Sequence, residues 1–342
     1  MTLKKIFASS VAALAVAAAL LLGAQRVAAA GNSTGNADNG IVDITTNLAY
    51  EDSAAAGTGM VLTSTGEVLT NNHVIRGATT IKVTDTSTGK TYAAKVVGYD
   101  LSVDVAVLQL TNASGLKTVN LGDSSTVKVG DAVVGLGNAG GVGGTPIAAN
   151  GTVEALGQSI TAGDDDGTSE HLTGLIGTNA GIQPGDSGGP LENASGQVIG
   201  MDTAASTATG FGFQSNGSQA FAIPINTALA VAKQIEAGHS TTAHIGATAF
   251  LGIEVQPAGF LRGQTVSGAL IAGVVKASPA SRAGLANGDV IVGLNTHTIL
   301  SATSLTSLLQ KQFPGSKVKI HWVDQLGTGH SATVTLASGP PQ

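Results

Sequence analysis

From Ile41 to about Pro224, apolar residues fall in short runs rich in Val, Ile and Thr, separated by clusters of Gly, Asn, Asp and Ser. Such runs occur at Met60–Thr63, Glu67–Thr70, Ile81–Thr84, Lys95–Gly98, Val105–Leu110, Ala132–Gly137, Thr152–Leu156, Val198–Thr203 and Ala220–Ile223. Their length and composition predict β-strands, and their regular spacing predicts antiparallel barrels or sandwiches. One stretch carries a helical period instead. Thr227–Ala237 places Leu229, Ala232 and Ile235 on one face, with Asn226 or Thr227 as N-cap and Gly238 as terminator. This predicts a first domain over residues 41–238. Small polar residues then predict a linker over 239–247. A second unit, 248–336, has strand-like runs at Gly252–Gln256, Gly268–Val275, Val290–Leu294, Lys317–Val323 and Ala332–Leu336, and a helix-compatible piece at Ser301–Gln312. Residues 337–342 are expected to be a disordered tail.

The N-terminus follows another pattern. Lys4 and Lys5 precede an apolar run from Ile6 to Leu22, and Ala28, Ala29 and Ala30 offer the small residues that signal peptidase accepts. Residues 1–30 are therefore read as a signal peptide, or as a membrane anchor if they are retained, and residues 31–40 as a flexible leader. Either reading places the protein outside the cytoplasm, in the cell envelope or beyond it.

Composition narrows the chemistry. The 342-residue chain has no Cys, which excludes disulfides, thiol nucleophiles and thiolate metal sites. Charged residues make up 11%, against a usual ~25%, and the net charge is −6 with no basic run beyond the N-terminus, so no nucleic-acid partner is expected. Asp164–Asp166 lacks the alternating ligand spacing of a calcium loop, and no metal is expected.

The segment Gly185-Asp186-Ser187-Gly188-Gly189-Pro190 sets a Ser among glycines, where a sharp turn can present its hydroxyl and backbone N–H groups can face a developing oxyanion. Alone, such a segment is commonly only a turn. A serine nucleophile needs a general base and a group that orients it. His73 ends a β-type run in Thr70-Asn71-Asn72-His73-Val74-Ile75, and Asp104 opens Val105–Leu110, giving the chain order His, Asp, Ser. Asp100 competes with Asp104, which is preferred because it directly precedes the apolar strand. Two other patterns point elsewhere and fail on context. Gly185–Gly189 also fits the nucleophile elbow of α/β-hydrolases, but no acid and His pattern follows it among helix-separated strands. Gly135–Gly140 fits a dinucleotide loop, but Gly143, Gly144 and Pro146 stand where a helix should begin.

TNNHVI around His73, DVAVLQL from Asp104 and NAGIQPGDSGGP ending at Pro190 together resemble the HtrA (Deg) family of serine proteases. The resemblance spans most of the chain after the N-terminal segment. It implies a mainly β fold: a chymotrypsin-like double β-barrel protease domain followed by a small α+β PDZ domain. It implies His73 as general base, Asp104 as its orienting carboxylate and Ser187 as nucleophile. Gly185 and Ser187 would supply oxyanion donors, with Asp186 a third, and Thr203 would set a hydroxyl beside Asp104. Ile182, Ala204 and Ala222 would line an apolar primary pocket, and Gly181 stands where cleavage after Lys or Arg requires a carboxylate. In the second unit, Phe250-Leu251-Gly252-Ile253 resembles the carboxylate-binding loop of a PDZ domain, and Ser301–Gln312 would form the opposing wall.

The expectation is an exported endopeptidase acting on unfolded or misfolded chains, needing no cofactor, with C-terminal peptides held at the PDZ groove. Family members usually form trimers, so a homotrimer is an expected assembly. The rival reading is a peptide-binding chaperone on a catalytically idle protease scaffold. Asp186 stands where many members have Asn. Gly40, and not a basic residue, stands directly before Ile41-Val42, so a trypsin-style zymogen is not expected.

Overall fold

The computed structural model describes residues 40–50, 52–163, 169–205, 220–238, 240, 242–257, 260–261, 264–265 and 267–342. The expected signal or anchor segment, all of the leader but Gly40, and the Asp164–Asp166 triplet lie outside the described residues.

Six strands form the first barrel: β1 (Ile41–Leu48), β2 (Ser53–Val61), β3 (Glu67–Thr70), β4 (Thr80–Asp85), β5 (Thr91–Asp100) and β6 (Val105–Leu110). All neighbours are antiparallel, and the β5–β6 pairing closes the ring. A second six-stranded barrel comprises β7 (Ala132–Gly137), β8 (Ile147–Gly163), β9 (Ser169–Thr178), β10 (Pro190–Asn193), β11 (Val198–Ala205) and β12 (Ala220–Pro224). The double barrel that the family resemblance implies is thus present, and of the barrels or sandwiches that the strand spacing predicts, barrels are found. The glycine pattern at Gly135–Gly140 falls at the β7–β8 connection between antiparallel strands, which removes the dinucleotide context.

Side-chain alternation explains why some strands read as continuous apolar runs. In β6, Ala106 and Leu108 pack inside the first barrel, while Val105 and Val107 join Met60, Leu69, Met201, Phe221 and Ile223 between the barrels. A strand buried on both faces has no polar side. Helix α2 (Ile225–Glu236) sets Ile225, Ala228, Val231, Ala232 and Ile235 into the same inter-barrel cluster. Its N-cap is Pro224, which makes no side-chain cap, in place of the expected Asn226 or Thr227.

The second unit is a sheet of β15 (Ile253–Pro257), β18 (Ala269–Val274), β19 (Val290–Leu294), β21 (Lys317–Val323) and β22 (Gly329–Thr335), with β20 (His297–Thr298) beside β19. A small hairpin, β16 (Phe260–Leu261) and β17 (Gln264–Thr265), stands apart from it. Helices α3 (Pro279–Ala283) and α4 (Ala302–Leu309) complete it, and α4 opens on a reciprocal Ser301–Ser304 capping box.

Two expectations about connections are corrected. Within the predicted linker, β13 (His244–Ile245) pairs with Tyr99 and Gly98 and extends the first barrel's sheet. The predicted disordered tail forms β23 (Ala337–Gly339), paired with β14 (Thr248–Phe250). Beyond it, the Pro341 carbonyl accepts from Gly77 N–H at 2.9 Å, and the Gln342 carbonyl accepts from Asn72 Nδ2 at 3.1 Å. Polar composition signalled a loop, but backbone partners on neighbouring elements override it.

Candidate active site

His73 lies on α1 (Asn72–Ile75), a single turn directly after β3. Asp104 sits in the β5–β6 turn at φ +56, a left-handed conformation unfavourable for a residue with a Cβ. Asn71, fully buried, fixes it by donating Nδ2 to the Asp104 carbonyl at 2.9 Å. The Asp104 carboxylate is itself buried and receives three hydrogen bonds: from His73 N–H at 3.0 Å, from the His73 Nδ1 position at 2.8 Å and from Thr203 Oγ1 at 2.5 Å. These orient the imidazole and place its proton on Nδ1 facing the carboxylate. Asp100 is excluded as the partner. One of its oxygens accepts from Ser102 N–H and Oγ, and the other accepts from Thr242 Oγ1.

Thr203 joins the two barrels. The ladder between β11 and β12 shifts register between Asp202 and Ala204, so Thr203 occupies a bulge, a device that re-aims a residue off the regular pleat. Its hydroxyl reaches Asp104, and its carbonyl accepts the Ser187 hydroxyl at 3.4 Å. His73, Asp104, Thr203 and Ser187 therefore form one chain of contacts across the inter-barrel cleft.

The Ser187 turn is pinned to the first barrel through Thr58 of β2. Thr58 N–H donates to the Ser187 carbonyl at 2.9 Å, and its hydroxyl donates to the Gly185 carbonyl at 2.7 Å while accepting from Asn138 N–H at 2.9 Å. Gly185 has φ +101, and a Cβ there would stand 2.2 Å from the Asn138 carbonyl oxygen. Gly188 has φ +86, and a Cβ there would meet the Thr58 carbonyl at 2.2 Å. Both positions require glycine. Among the described residues the N–H groups of Gly185 and Ser187 have no hydrogen-bond partner, as oxyanion donors require. Asp186 is corrected: its N–H donates to the Gln183 carbonyl at 3.0 Å, so it is not a third donor. Asp186 is buried, and desolvation raises its carboxyl above the usual range despite a bond from Gln183 N–H. Ile41 lies within β1, paired with Met60, and supplies no terminal amine to Asp186.

Residues 57–201 match the trypsin-like peptidase domain family, and residues 249–323 match the PDZ domain family. The probable periplasmic serine endoprotease DegP-like of Chlamydia trachomatis is 36% identical over 294 residues, 84% of this chain and 55% of its own. Periplasmic serine endoprotease DegP of Salmonella typhimurium is 35% identical over 286 residues, 82% of this chain and 56% of its own. The chain thus spans about half the length of these curated relatives. A solved HtrA-type protease, AlgW with a tripeptide, is 30% identical at a TM-score of 0.50, and the match covers 89% of this chain and 95% of that one. The chain belongs to the HtrA family of serine proteases.

In this HtrA-family chain, Ile182 and Ala222 share the apolar cluster of the second barrel and are both buried. Ala204 pairs with Phe221 in the ladder between β11 and β12. Gly181 is exposed. Among the described residues no His or carboxylate cluster has the composition of a metal site.

The PDZ loop is shaped by its carbonyls. Leu251 accepts from Ala280 N–H at 2.9 Å, and Gly252 accepts from Val275 N–H at 3.0 Å. Phe250, Leu251, Gly252 and Ile253 line a cleft of about 140 Å³ whose opposite wall is Leu305 and Leu309 of α4. Strand β15 is the edge of its sheet, so one side of its backbone is open to a further strand. Phe250 also stacks on Tyr50 of the first barrel, with ring centroids 5.1 Å apart.

Three residues of this arrangement escaped sequence reading: Thr58, Asn71 and Asn138. Asn71 lay inside the quoted TNNHVI motif. Thr58 and Asn138 had no signal, because a hydroxyl or amide that staples two barrels resembles any other polar residue near a strand end.

Proposed function

We propose that the protein is an exported serine endopeptidase that cleaves unfolded or misfolded polypeptides and holds peptide C-termini at its PDZ groove. The observation that carries this reading is the contact chain from His73 through Asp104 and Thr203 to Ser187, beside two amides that have no partner among the described residues.

With the proton held on Nδ1 by Asp104, the basic lone pair of His73 is on Nε2, which takes the Ser187 hydroxyl proton as Oγ attacks the peptide carbonyl. The 3.4 Å bond to the Thr203 carbonyl is long, so a turn about χ1 frees the Ser187 hydroxyl for this at little cost. The tetrahedral oxyanion is stabilised by the Gly185 and Ser187 N–H groups, and His73 then protonates the leaving amine. Water, deprotonated by the same imidazole, releases the acyl group and regenerates Ser187. Ile182, Ala204 and Ala222 favour a small aliphatic side chain such as Val or Ala at the cleavage site. Selectivity is loose, because each methylene misfit is worth only ~1–3 kcal/mol.

In the groove, loop amides hold a terminal carboxylate, and β15 takes the peptide as an added strand. Relatives named as periplasmic support export, as does the Lys4–Ala30 pattern. Assembly as a homotrimer is proposed on the family resemblance alone. Casein degradation by wild type and by Ser187→Ala tests the enzymatic reading. Loss of cleavage in the variant supports it, whereas peptide binding without cleavage by the wild type establishes the idle-scaffold alternative.

A further inference from the structure

Beneath the nucleophile turn lie two carboxyl groups that the reaction does not use. Asp186 stands between the two free amides and is 3% exposed, and Asp202, just before the Thr203 bulge, is 0% exposed. Their segments are laced together. Gly188 N–H donates to the Asp202 carbonyl at 2.8 Å, and Asp202 N–H donates to the Gly189 carbonyl at 2.9 Å. Both side chains lie over one face of β7. A Cβ on Gly135 would stand 2.9 Å from Asp202 Oδ2, and a Cβ on Gly137 would stand 2.7 Å from Asp186 Oδ1. Positions i and i+2 of a strand face the same side, roughly 7 Å apart. The two glycines make the room in which the two carboxyls sit as neighbours.

Among the described residues, three of the four oxygens have no hydrogen-bond partner: Asp186 Oδ1 and both oxygens of Asp202. The fourth, Asp186 Oδ2, accepts from Gln183 N–H at 2.8 Å. Among the described residues, the pair is met by Gly135 and Gly137 from β7, Ile182 and Gln183 from the preceding loop, and Ala222 paired from β12. None of them is titratable or charged. Among the described residues the one charge acting on Asp202 is that of Asp186. Two ionised carboxylates in so dry a place, without donors, are strongly unfavourable, and a proton on one of them removes the conflict. Burial and the neighbouring charge together push the Asp202 carboxyl well above the usual range, which makes it the group that keeps the proton.

We propose that Asp202 is a positioning residue that works in its neutral, protonated form, allowing Asp186 to keep its bond to Gln183 and so holding the Gly185 and Ser187 amides in place. The inference rests on the serine-protease reading. Ionised Asp202 would set a second negative charge against Asp186 and against the oxyanion that forms above the same turn. The rate therefore has an alkaline limit, separate from the acid limit at which His73 becomes protonated.

The test is the pH profile of cleavage of fluorescein-labelled casein. Wild type is expected to lose at least tenfold in rate on the alkaline side of its plateau, while Asp202→Asn, whose amide is neutral at every pH, keeps its plateau rate there. Both should share the fall on the acid side. A wild type that shows no alkaline loss anywhere in the range over which it stays folded, or a variant with the same loss, overturns the proposal. Asp202→Ser replaces Asp202→Asn if the latter does not fold.

A second readout needs no turnover and separates failure of this inference from failure of the enzymatic reading. Native Asp202 keeps a proton that the unfolded chain releases near about pH 4, so its contribution to stability falls as pH rises. In a Ser187→Ala background, adding Asp202→Asn is expected to flatten the decline of Tm with pH. Equal slopes in the two proteins contradict the proposal even if no cleavage is found at any pH.

Discussion

At the scale of single residues, the site depends on how Asp104 is held. Its carboxylate binds His73 twice and Thr203 once, and its own carbonyl is held by Asn71, so a strained φ is fixed from several sides. Asp104→Asn is expected to lower kcat by about 10⁴, since an amide in its place favours the wrong imidazole tautomer. Asp100→Asn should leave kcat within a few-fold and act on stability instead, because that carboxylate serves Ser102 and Thr242. Reversal of the two results would identify Asp100 as the orienting acid. Thr203→Val removes one donor to a buried carboxylate, a bond worth roughly 1.5–3 kcal/mol, and should reduce kcat by about tenfold or more with KM little changed. The sequence singled out His73, Asp104 and Ser187, which the structure brings into one contact chain, because chemistry restricts which residue types can serve as base, orienting acid and nucleophile. Thr58, Asn71 and Asn138 were not, since their roles are to donate or accept single bonds that many polar residues could make.

At the scale of elements, the nucleophile turn is a glycine-built object pinned by one residue of the other barrel. Gly185→Ala, at φ +101 with the Asn138 carbonyl 2.2 Å from the new Cβ, should displace an oxyanion donor and lower kcat by roughly 10²–10³, the cost of losing one such donor. Near-normal kinetics in that variant would remove Gly185 from the mechanism. Glu67 on β3 supplies an element-level pH effect. Burial first, then a hydrogen bond and repulsion from Glu236 on α2, raise its carboxyl from 4.5 to about 7. The folded state keeps a proton that the unfolded chain releases near 4.5, so this stabilisation is full below that value and lost as pH rises through about 7. Thermal melts of the Ser187→Ala protein should show Tm falling across that window, and Glu67→Gln should flatten the fall.

Strand legibility followed the regularity of the apolar pattern more than burial, since the buried β1 was missed. β6, apolar on both faces, was visible in the sequence, whereas β9 (SEHLTGLIGT) was not, and only the middle of the 17-residue β8 was found. Both have Gly and polar residues within them, and their pairing carries three register shifts that blur the two-residue period.

At the scale of the whole molecule, the PDZ domain is bound to the first barrel by segments that composition marked as linker and tail. Tyr99 is central to this contact. It pairs with His244 in the backbone, and its hydroxyl meets Thr248 Oγ1 at 3.2 Å and accepts from Gln342 N–H at 3.3 Å. Tyr99→Phe leaves those buried partners short of a bond, and amide exchange at residues 244–250 and 337–339 should become about tenfold faster or more while the barrels stay protected. Unchanged exchange there would show that Tyr99 does not couple the domains. Such contacts are invisible to local pattern, since they pair positions far apart in the chain.

The proposed cleavage requires that Ser187 be a nucleophile activated by His73 and Asp104. A fluorophosphonate probe that bonds covalently to activated serines, followed by mass-spectrometric mapping, measures this directly. The prediction is modification of Ser187 alone, lost in His73→Ala and sharply slowed in Asp104→Asn. Unmodified Ser187 in the wild type, or modification equally fast without His73, would contradict it.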